Sequence, residues 1–336
     1  MTTIRDASSP QTRGGEFVRQ DSVFRGRVTP DGSSGFPAQA GRYHLYVALA
    51  CPWSHRTVIV RRLKGLEDAI GVSYLHPFRD ERGWRFTDQA PYVDGVKGFH
   101  FLAEAYQRSR PGYRGRVSVP VLWDTHSGRI VSNESAEIIR MLDGAFDPLA
   151  DPSVDLYPAE HREEIDELNE WIYRTVNNGV YRAGFATSQA AYDDAFSALF
   201  AGLDRLEAIL ATRRYLVGDR ITEADWRLFP TLVRFDTVYY LHFRCNGRRI
   251  VDYPNLWAYT RDLYQQPGIA ETVDFAQIKE HYYTTHDSLN PKRIVPAGPL
   301  DLDFLAPPGR EALAAAAEEV RAPGSPDPRC PGSAPG

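Results

Sequence analysis

Chemistry in this chain can be built first on Cys51, in the run Leu49-Ala50-Cys51-Pro52-Trp53-Ser54-His55-Arg56. A short β-prone stretch ends there and a helical pattern begins. A cysteine at such a junction holds its sulfur beside the unpaired N–H groups and positive end of the helix, which favours thiolate over thiol. Pro52 suits the first helical turn because its missing N–H would go unpaired there anyway. His55 and Arg56 are expected to add positive field, although Arg56 could equally face solvent. Ser54 stands where a dithiol oxidoreductase carries its resolving cysteine, so Cys51 has no second thiol in reach. A mixed disulfide on Cys51 must then be resolved by an external thiol. The bland alternative is a small buried apolar cysteine, and a proline at the following position argues against it.

Two further elements lie downstream. Val119-Pro120 opens a predicted strand, where the residue before a cis proline can pair main chain to main chain with the cysteinyl part of glutathione. Ser132-Asn133-Glu134-Ser135 precedes a helix; its free N–H groups and hydroxyl suit a carboxylate, and Glu134 can pair with an ammonium. Alone, the first is an edge-strand proline and the second an ordinary N-cap. Their order behind Cys51 is what makes them informative.

The positioning elements follow from periodicity. Tyr43 to Ala48 and Ile70 to Leu75 read as strands around a helix that runs from Pro52 to Leu63. Val119 to Trp123 and Arg129 to Val131 read as a hairpin, followed by a helix over Glu134 to Leu142. That order predicts a thioredoxin-like mixed sheet with helices on both faces. Residues 77 to 116 form a long segment with one short helix near Phe101 to Gln107, and a loop that long is usually functional. From about Pro158 the pattern is helical throughout, with Thr222-Glu223-Ala224-Asp225 as a capping box. The expected organisation is a 1–40 extension, a 41–150 thioredoxin-like domain, a 155–290 all-helical domain and a 291–336 tail. That tail is read as a short helix from Glu311 to Val320 and a disordered end.

Composition narrows the class. The 336 residues are 43% hydrophobic and 25% charged with a net charge of -5, which gives no electrostatic footprint for nucleic acid. No stretch approaches the roughly 18 to 20 apolar residues of a membrane span, and Met1 to Gly15 lacks an apolar signal core. Three distant cysteines, Cys51, Cys245 and Cys330, suit a reducing compartment. The nine histidines form no metal-ligand spacing, so no metal is expected. Cys245 is read as structural.

Several runs together resemble the glutathionyl-hydroquinone reductases, the xi class of the glutathione transferase superfamily. They are Ala50 to Arg56, Val131 to Arg140, Asn169 to Tyr173, Asn177 to Ala186, Thr222 to Pro230, Asp252 to Trp257 and Ile278 to Tyr283. The resemblance implies an α/β plus all-α fold, with an N-terminal thioredoxin-like domain and a C-terminal helical glutathione-transferase domain. It also implies a homodimer that uses glutathione as co-substrate, in the cytoplasm that the cysteines and the missing signal segment lead one to expect. Cys51 would take glutathione from a glutathionyl-hydroquinone and a second glutathione would free it. Trp84, Arg114, Val119, Pro120, Glu134 and Ser135 would hold glutathione. Tyr181 and Tyr282 would line the aromatic pocket and bond or protonate the quinol, with Tyr239 and Tyr283 as lesser candidates. Ser54 departs from the Ala that the family usually carries, and a hydroxyl there could bond the thiolate. Two other functions fit parts of this pattern: a general omega-like thioltransferase or dehydroascorbate reductase, which needs no paired tyrosines, and a non-catalytic binding module, which needs no reactive thiol.

Overall fold

The computed structural model describes residues 11–313. Gln11-Thr12-Arg13 and Glu16-Phe17-Val18 form a small antiparallel hairpin, β1 (Gln11–Arg13) and β2 (Glu16–Val18), around Gly14-Gly15. A two-residue glycine turn is a strong hairpin signal. Only glycine fits at position 15, where φ is +91° and a Cβ would lie 2.3 Å from Ser188 Oγ. Residues beyond the hairpin run along the sheet edge; Gly26 N donates to Val131 O at 2.8 Å and Phe24 N to Asn133 Oδ1 at 3.1 Å. From Gln11 onward, the expected 1–40 extension is therefore laid onto the body.

The sheet is centred on β3 (Tyr43–Val47), every residue of which is buried. From it the chain enters α1 (Pro52–Leu63), returns in β4 (Ile70–Tyr74), and reaches α2 (Leu102–Ser109) through the long segment. It then forms the hairpin β5 (Val121–Asp124) and β6 (Arg129–Ser132), followed by α3 (Ser135–Arg140). The strand order is β4-β3-β5-β6, with β3 parallel to β4 and antiparallel to β5. This is the mixed sheet that the sequence predicts, with boundaries shifted by one or two residues.

The second half is helical: α4 (Arg162–Ile172), α5 (Gly179–Gly184), α6 (Gln189–Leu210), α7 (Glu223–Arg234), α8 (Tyr240–His242), α9 (Pro254–Tyr264) and α10 (Phe275–Thr285). Ala191, Ala195, Leu199, Leu203, Leu206 and Leu210 recur at helical spacing along α6 and all are buried. The helices widen into π-turns over Tyr173–Asn177 and Phe235–Tyr239, turns that proteins often place at functional sites. Among the described residues, no helix is long and apolar enough to cross a membrane.

The two halves are tied by polar contacts. Glu223, on α7, accepts from Arg140 of α3 at 2.7 Å and from Asn169 of α4 at 2.7 Å. Asp225 accepts from Thr222 N at 2.8 Å, Leu216 N at 3.0 Å and Tyr259 Oη at 2.8 Å, completing the capping box that the sequence indicates. Near the end of the described chain, the buried Arg310 donates to the carbonyls of Leu210 at 2.9 Å and Arg214 at 3.0 Å. The segment ahead of it packs Phe304 against Trp257 and Tyr264, so residues up to Arg310 belong to the body. Most of the helix expected over Glu311 to Val320, and Cys330, lie outside the described residues.

Asp225 is fully buried and bonded to three partners, so its removal leaves uncompensated donors. Asp225→Ala should lower the unfolding free energy by about 3 kcal/mol, measured by urea denaturation. A loss within about 0.5 kcal/mol, the range of an ordinary surface change, would contradict this role.

Candidate active site

Cys51 is the residue before α1, in extended backbone, half-buried, with Sγ 3.9 Å from Val119 O. Its loop is held from the helical half. Arg234, at the end of α7 and fully buried, donates to Leu49 O at 2.7 Å and Ala50 O at 3.1 Å. It also donates to Pro230 O at 2.8 Å and to His55 Nδ1 at 3.0 Å. These partners are carbonyls and an imidazole rather than a carboxylate.

Three expectations about this loop are corrected. A guanidinium only donates, so His55 Nδ1 accepts and Nε2–H donates to Thr272 Oγ1 at 2.8 Å. Burial, then the Arg234 charge, pushes His55 far below its ordinary value. It is neutral and adds no positive field. Arg56 does not face solvent; it is buried, donates to Asn177 Oδ1 and Arg227 O at 2.9 Å each, and lies 4.6 Å from the Trp53 ring centroid. Ser54 Oγ accepts from Ala48 N at 3.3 Å, facing β3 rather than the thiol.

The Val119-Pro120 peptide is cis. The strand approach is fixed by Tyr106 of α2, whose hydroxyl accepts from Ser118 N at 3.1 Å and donates to Ser118 O at 2.7 Å. Asn133 Nδ2 donates to that hydroxyl at 3.0 Å and to Ser118 Oγ at 3.1 Å. Glu134 caps α3, accepting from Ala136 N at 3.1 Å and from Ser22 Oγ at 3.0 Å.

These elements enclose a cleft of two adjoining lobes, the aromatic one about 100 Å³ and the polar one about 250 Å³. The polar lobe is lined by Pro120, Glu134 and Ser135 with Arg56, Arg116 and Arg227. The aromatic lobe contains Cys51, Trp84, Tyr181 and Tyr282; Val119 and Trp53 form walls common to both. Arg114 is the exception among the glutathione contacts expected from the sequence. It is exposed and lines neither lobe, while Arg116 lines both. Tyr113 explains the shift: its ring is buried against Phe24 and its hydroxyl donates to Arg116 O at 2.7 Å. A Cβ on Gly115 would lie 2.5 Å from that hydroxyl. The chain thus folds tightly over the ring and turns Arg114 outward.

Tyr181 Oη lies 2.6 Å from Tyr282 Oη, which lies 2.9 Å from Tyr239 Oη. Three hydroxyls joined by two hydrogen bonds use two of three protons. When the chain runs from Tyr239 through Tyr282, the remaining proton sits on Tyr181, in the lobe that holds Cys51. Burial, followed by the charge of Cys51, pushes Tyr181 up; burial does the same to Tyr282 and Tyr239 more strongly. All three are therefore neutral donors at physiological pH. Tyr283 is not part of this chain and donates to Thr237 O at 3.2 Å. Trp84 stacks on His281, with ring centroids 4.9 Å apart, and His281 Nδ1 donates to Pro77 O at 2.7 Å.

The sequence reading missed Phe17 and Arg19, which the hairpin brings to the aromatic lobe. The Gly14-Gly15 turn between alternating residues was the available signal. Arg234, Tyr106 and Asn133 had no local signal. Cys245 is buried, its thiol pushed up by burial, consistent with a structural role. Among the described residues, no cluster of His, Cys, Asp or Glu could hold a metal.

Comparison with known proteins places this geometry. Residues 50–145 match the Glutathione S-transferase, N-terminal domain family, and residues 189–262 match the corresponding C-terminal domain family. The chain is 53% identical over 310 residues to the glutathionyl-hydroquinone reductase YqjG of Escherichia coli, covering 90% of this chain and 94% of that one. The glutathione-bound structure of YqjG superposes with a TM-score of 0.84, covering 86% of this chain and 96% of its own. A xi-class glutathione transferase from Natrialba magadii is 53% identical with a TM-score of 0.85, over 89% of this chain and 96% of its own.

Two predictions follow from the geometry. Arg234→Met should slow alkylation of Cys51 by iodoacetamide by about tenfold, a change of about 1.4 kcal/mol, and Arg234→Lys should recover part of the rate. Unchanged rates in both variants would mean that the clamp does not act on the thiol. Burial pushes His44 and His242 down to about 4 and His281 down to about 3, against an unfolded value of 6.5. Between these limits the unfolded chain binds more protons, so stability falls as pH drops below 6.5. The melting temperature should decline from pH 6.5 toward 4, with no imidazole of this set protonating near 6.5 by NMR. A ring that titrates at 6.5 contradicts its burial.

Proposed function

The chain belongs to the glutathione transferase superfamily, among the xi-class glutathionyl-hydroquinone reductases, and from that membership we propose how its own residues carry out the reaction. The protein reduces glutathionyl-hydroquinones to hydroquinones with glutathione as co-substrate. The observation that supports this most directly is the arrangement at Cys51. A lone thiol opens into an aromatic lobe with tyrosine hydroxyls, beside a polar lobe suited to a charged peptide thiol.

In the proposed sequence, the Cys51 thiolate attacks the glutathionyl sulfur and the carbon–sulfur bond breaks. The ring carbon takes the bonding electrons and a proton, supplied from Tyr181 and replenished along the Tyr282–Tyr239 chain. Cys51 is left disulfide-linked to glutathione. A second glutathione thiolate attacks that disulfide, releases oxidised glutathione and restores Cys51. One aryl carbon is reduced and two glutathione sulfurs are oxidised, so the electrons balance. Glu134 pairs with the γ-glutamyl ammonium, Val119 meets the cysteinyl main chain beside Pro120, and Ser135, Trp84 and Arg116 complete the glutathione site. Arg116 replaces Arg114 in this role because it alone of the two lines the cleft.

The reading extends to a cytoplasmic homodimer. Unpaired cysteines favour a reducing compartment, and the exposed Leu300 and Leu305 offer apolar surface that a second copy could cover.

The test is product analysis with glutathionyl-hydroquinone and excess glutathione. Wild type should yield hydroquinone plus oxidised glutathione, and Cys51→Ala neither. Wild-type protein denied the second thiol should gain the mass of one glutathione. Tyr181→Phe should lower kcat about a hundredfold, with Tyr282→Phe intermediate, while reduction of a small mixed disulfide changes little. Release of no hydroquinone alongside intact disulfide reduction would replace this function with a general thioltransferase.

A further inference from the structure

His281 is held in the aromatic lobe with one ring nitrogen unspent. The residue is buried, lines that lobe and takes no part in the polar one. Trp84 stacks on its face, with centroids 4.9 Å apart and planes 18° from parallel. Nδ1 lies 2.7 Å from Pro77 O, and a carbonyl only accepts, so Nδ1 carries the proton. Burial, then the charge of Arg79, keeps the ring neutral, which leaves Nε2 as a bare lone pair. Among the described residues Nε2 has no hydrogen-bond partner, and it is not sealed in the interior. His286, the other imidazole of the lobe, pairs with His242 at 3.2 Å in a contact that either nitrogen can donate. Of the two, only His281 has its tautomer set by a carbonyl.

Fixed acceptors are scarce in this lobe. Its lining residues include no Asp or Glu, its arginines only donate, and Tyr181 presents a proton at the end of its chain. A hydroquinone ring brings two O–H donors, whereas the corresponding quinone brings two carbonyls. We propose that His281 is a specificity-determining residue whose Nε2 accepts a hydrogen bond from a ring hydroxyl, so that the cleft selects the reduced, hydroxyl-bearing conjugate. This rests on the function above and names the ring group that is recognised. A quinone carbonyl at the same place would set lone pair against lone pair and leave both unpaired. The Trp84 stack and the Pro77 bond direct the acceptor before the ring arrives.

The experiment measures binding to Cys51→Ala protein, which cannot turn over, by calorimetry. The probes are S-(2,5-dihydroxyphenyl)glutathione, S-(2,5-difluorophenyl)glutathione and glutathione itself. Fluorine is close in size to a hydroxyl and cannot donate, so the dihydroxy conjugate should bind more tightly than the difluoro one. Adding His281→Phe, which keeps a ring against Trp84, should cut that ratio about tenfold. Adding His281→Gln, whose amide oxygen accepts, should restore part of it. Glutathione should bind all three proteins alike, which also reports that each is folded. In the protein that keeps His281, the nitrogen NMR resonance of Nε2 should be that of a bare ring nitrogen. It should move when the dihydroxy conjugate is added and stay in place with the difluoro one. A ratio unchanged by His281→Phe overturns the proposal, as does a protonated Nε2 in the free protein. Weakening of glutathione as large as that of the dihydroxy conjugate also overturns it, and assigns His281 to the glutathionyl moiety beside Trp84. Turnover of the dihydroxy conjugate by wild type is scored separately, so failure of the reductase reading appears there and leaves the binding ratio intact.

Discussion

The cleft depends on a guanidinium that no solvent reaches. Arg234 leaves the end of a helix in the all-α half and bonds two successive carbonyls of the loop ahead of Cys51. Burying an arginine is expensive unless its donors are met, and here carbonyls and the neutral His55 meet them. The same contact fixes the His55 tautomer, which in turn places Thr272. Without it the two carbonyls would need water in a packed interior, and the thiol would lose its fixed distance from Val119. Arg310 uses the same device on the end of α6. In both places one side chain closes a gap between segments that are distant in sequence.

Around that anchor, polar and aromatic chemistry are kept apart by shared walls rather than by distance. Trp53 and Val119 face both lobes. The strand approach at Ser118 is read at both its N–H and its carbonyl by one tyrosine hydroxyl, which leaves little freedom in the backbone beside Cys51. The tyrosine chain lies in the other lobe, where burial keeps its protons on oxygen. Desolvation thus holds neutral hydroxyl donors in the same lobe that contains Cys51.

Much of this was legible in the sequence where the signal is local. The strand-to-helix junction at Cys51, the proline at 120, the cap at Glu134 and the capping box at Thr222 each follow from a few adjacent residues. The order of strands followed from them. What could not be read is carried by contacts between remote positions: Arg234 acts across 184 residues on Leu49's neighbour Ala50, and Tyr239 joins Tyr282 only because a π-turn carries it inward. Arg114 and Arg116 lie two apart in an irregular segment, and periodicity has no power there. The buried Tyr113 ring decides between them. His55 reads as a positive charge until its partner is known to be an arginine.

The hairpin at the start of the described chain has a practical side. Gln11, its first residue, belongs to the wall of the cleft, so anything inserted in the hairpin lies beside the space that substrate must enter. An affinity tag or a surface linker placed there would stand beside the entrance. The other end of the described chain is pinned by Arg310 against the end of α6, on the helical body. A protein to be immobilised or fused while keeping its entrance clear is therefore better joined beyond that arginine.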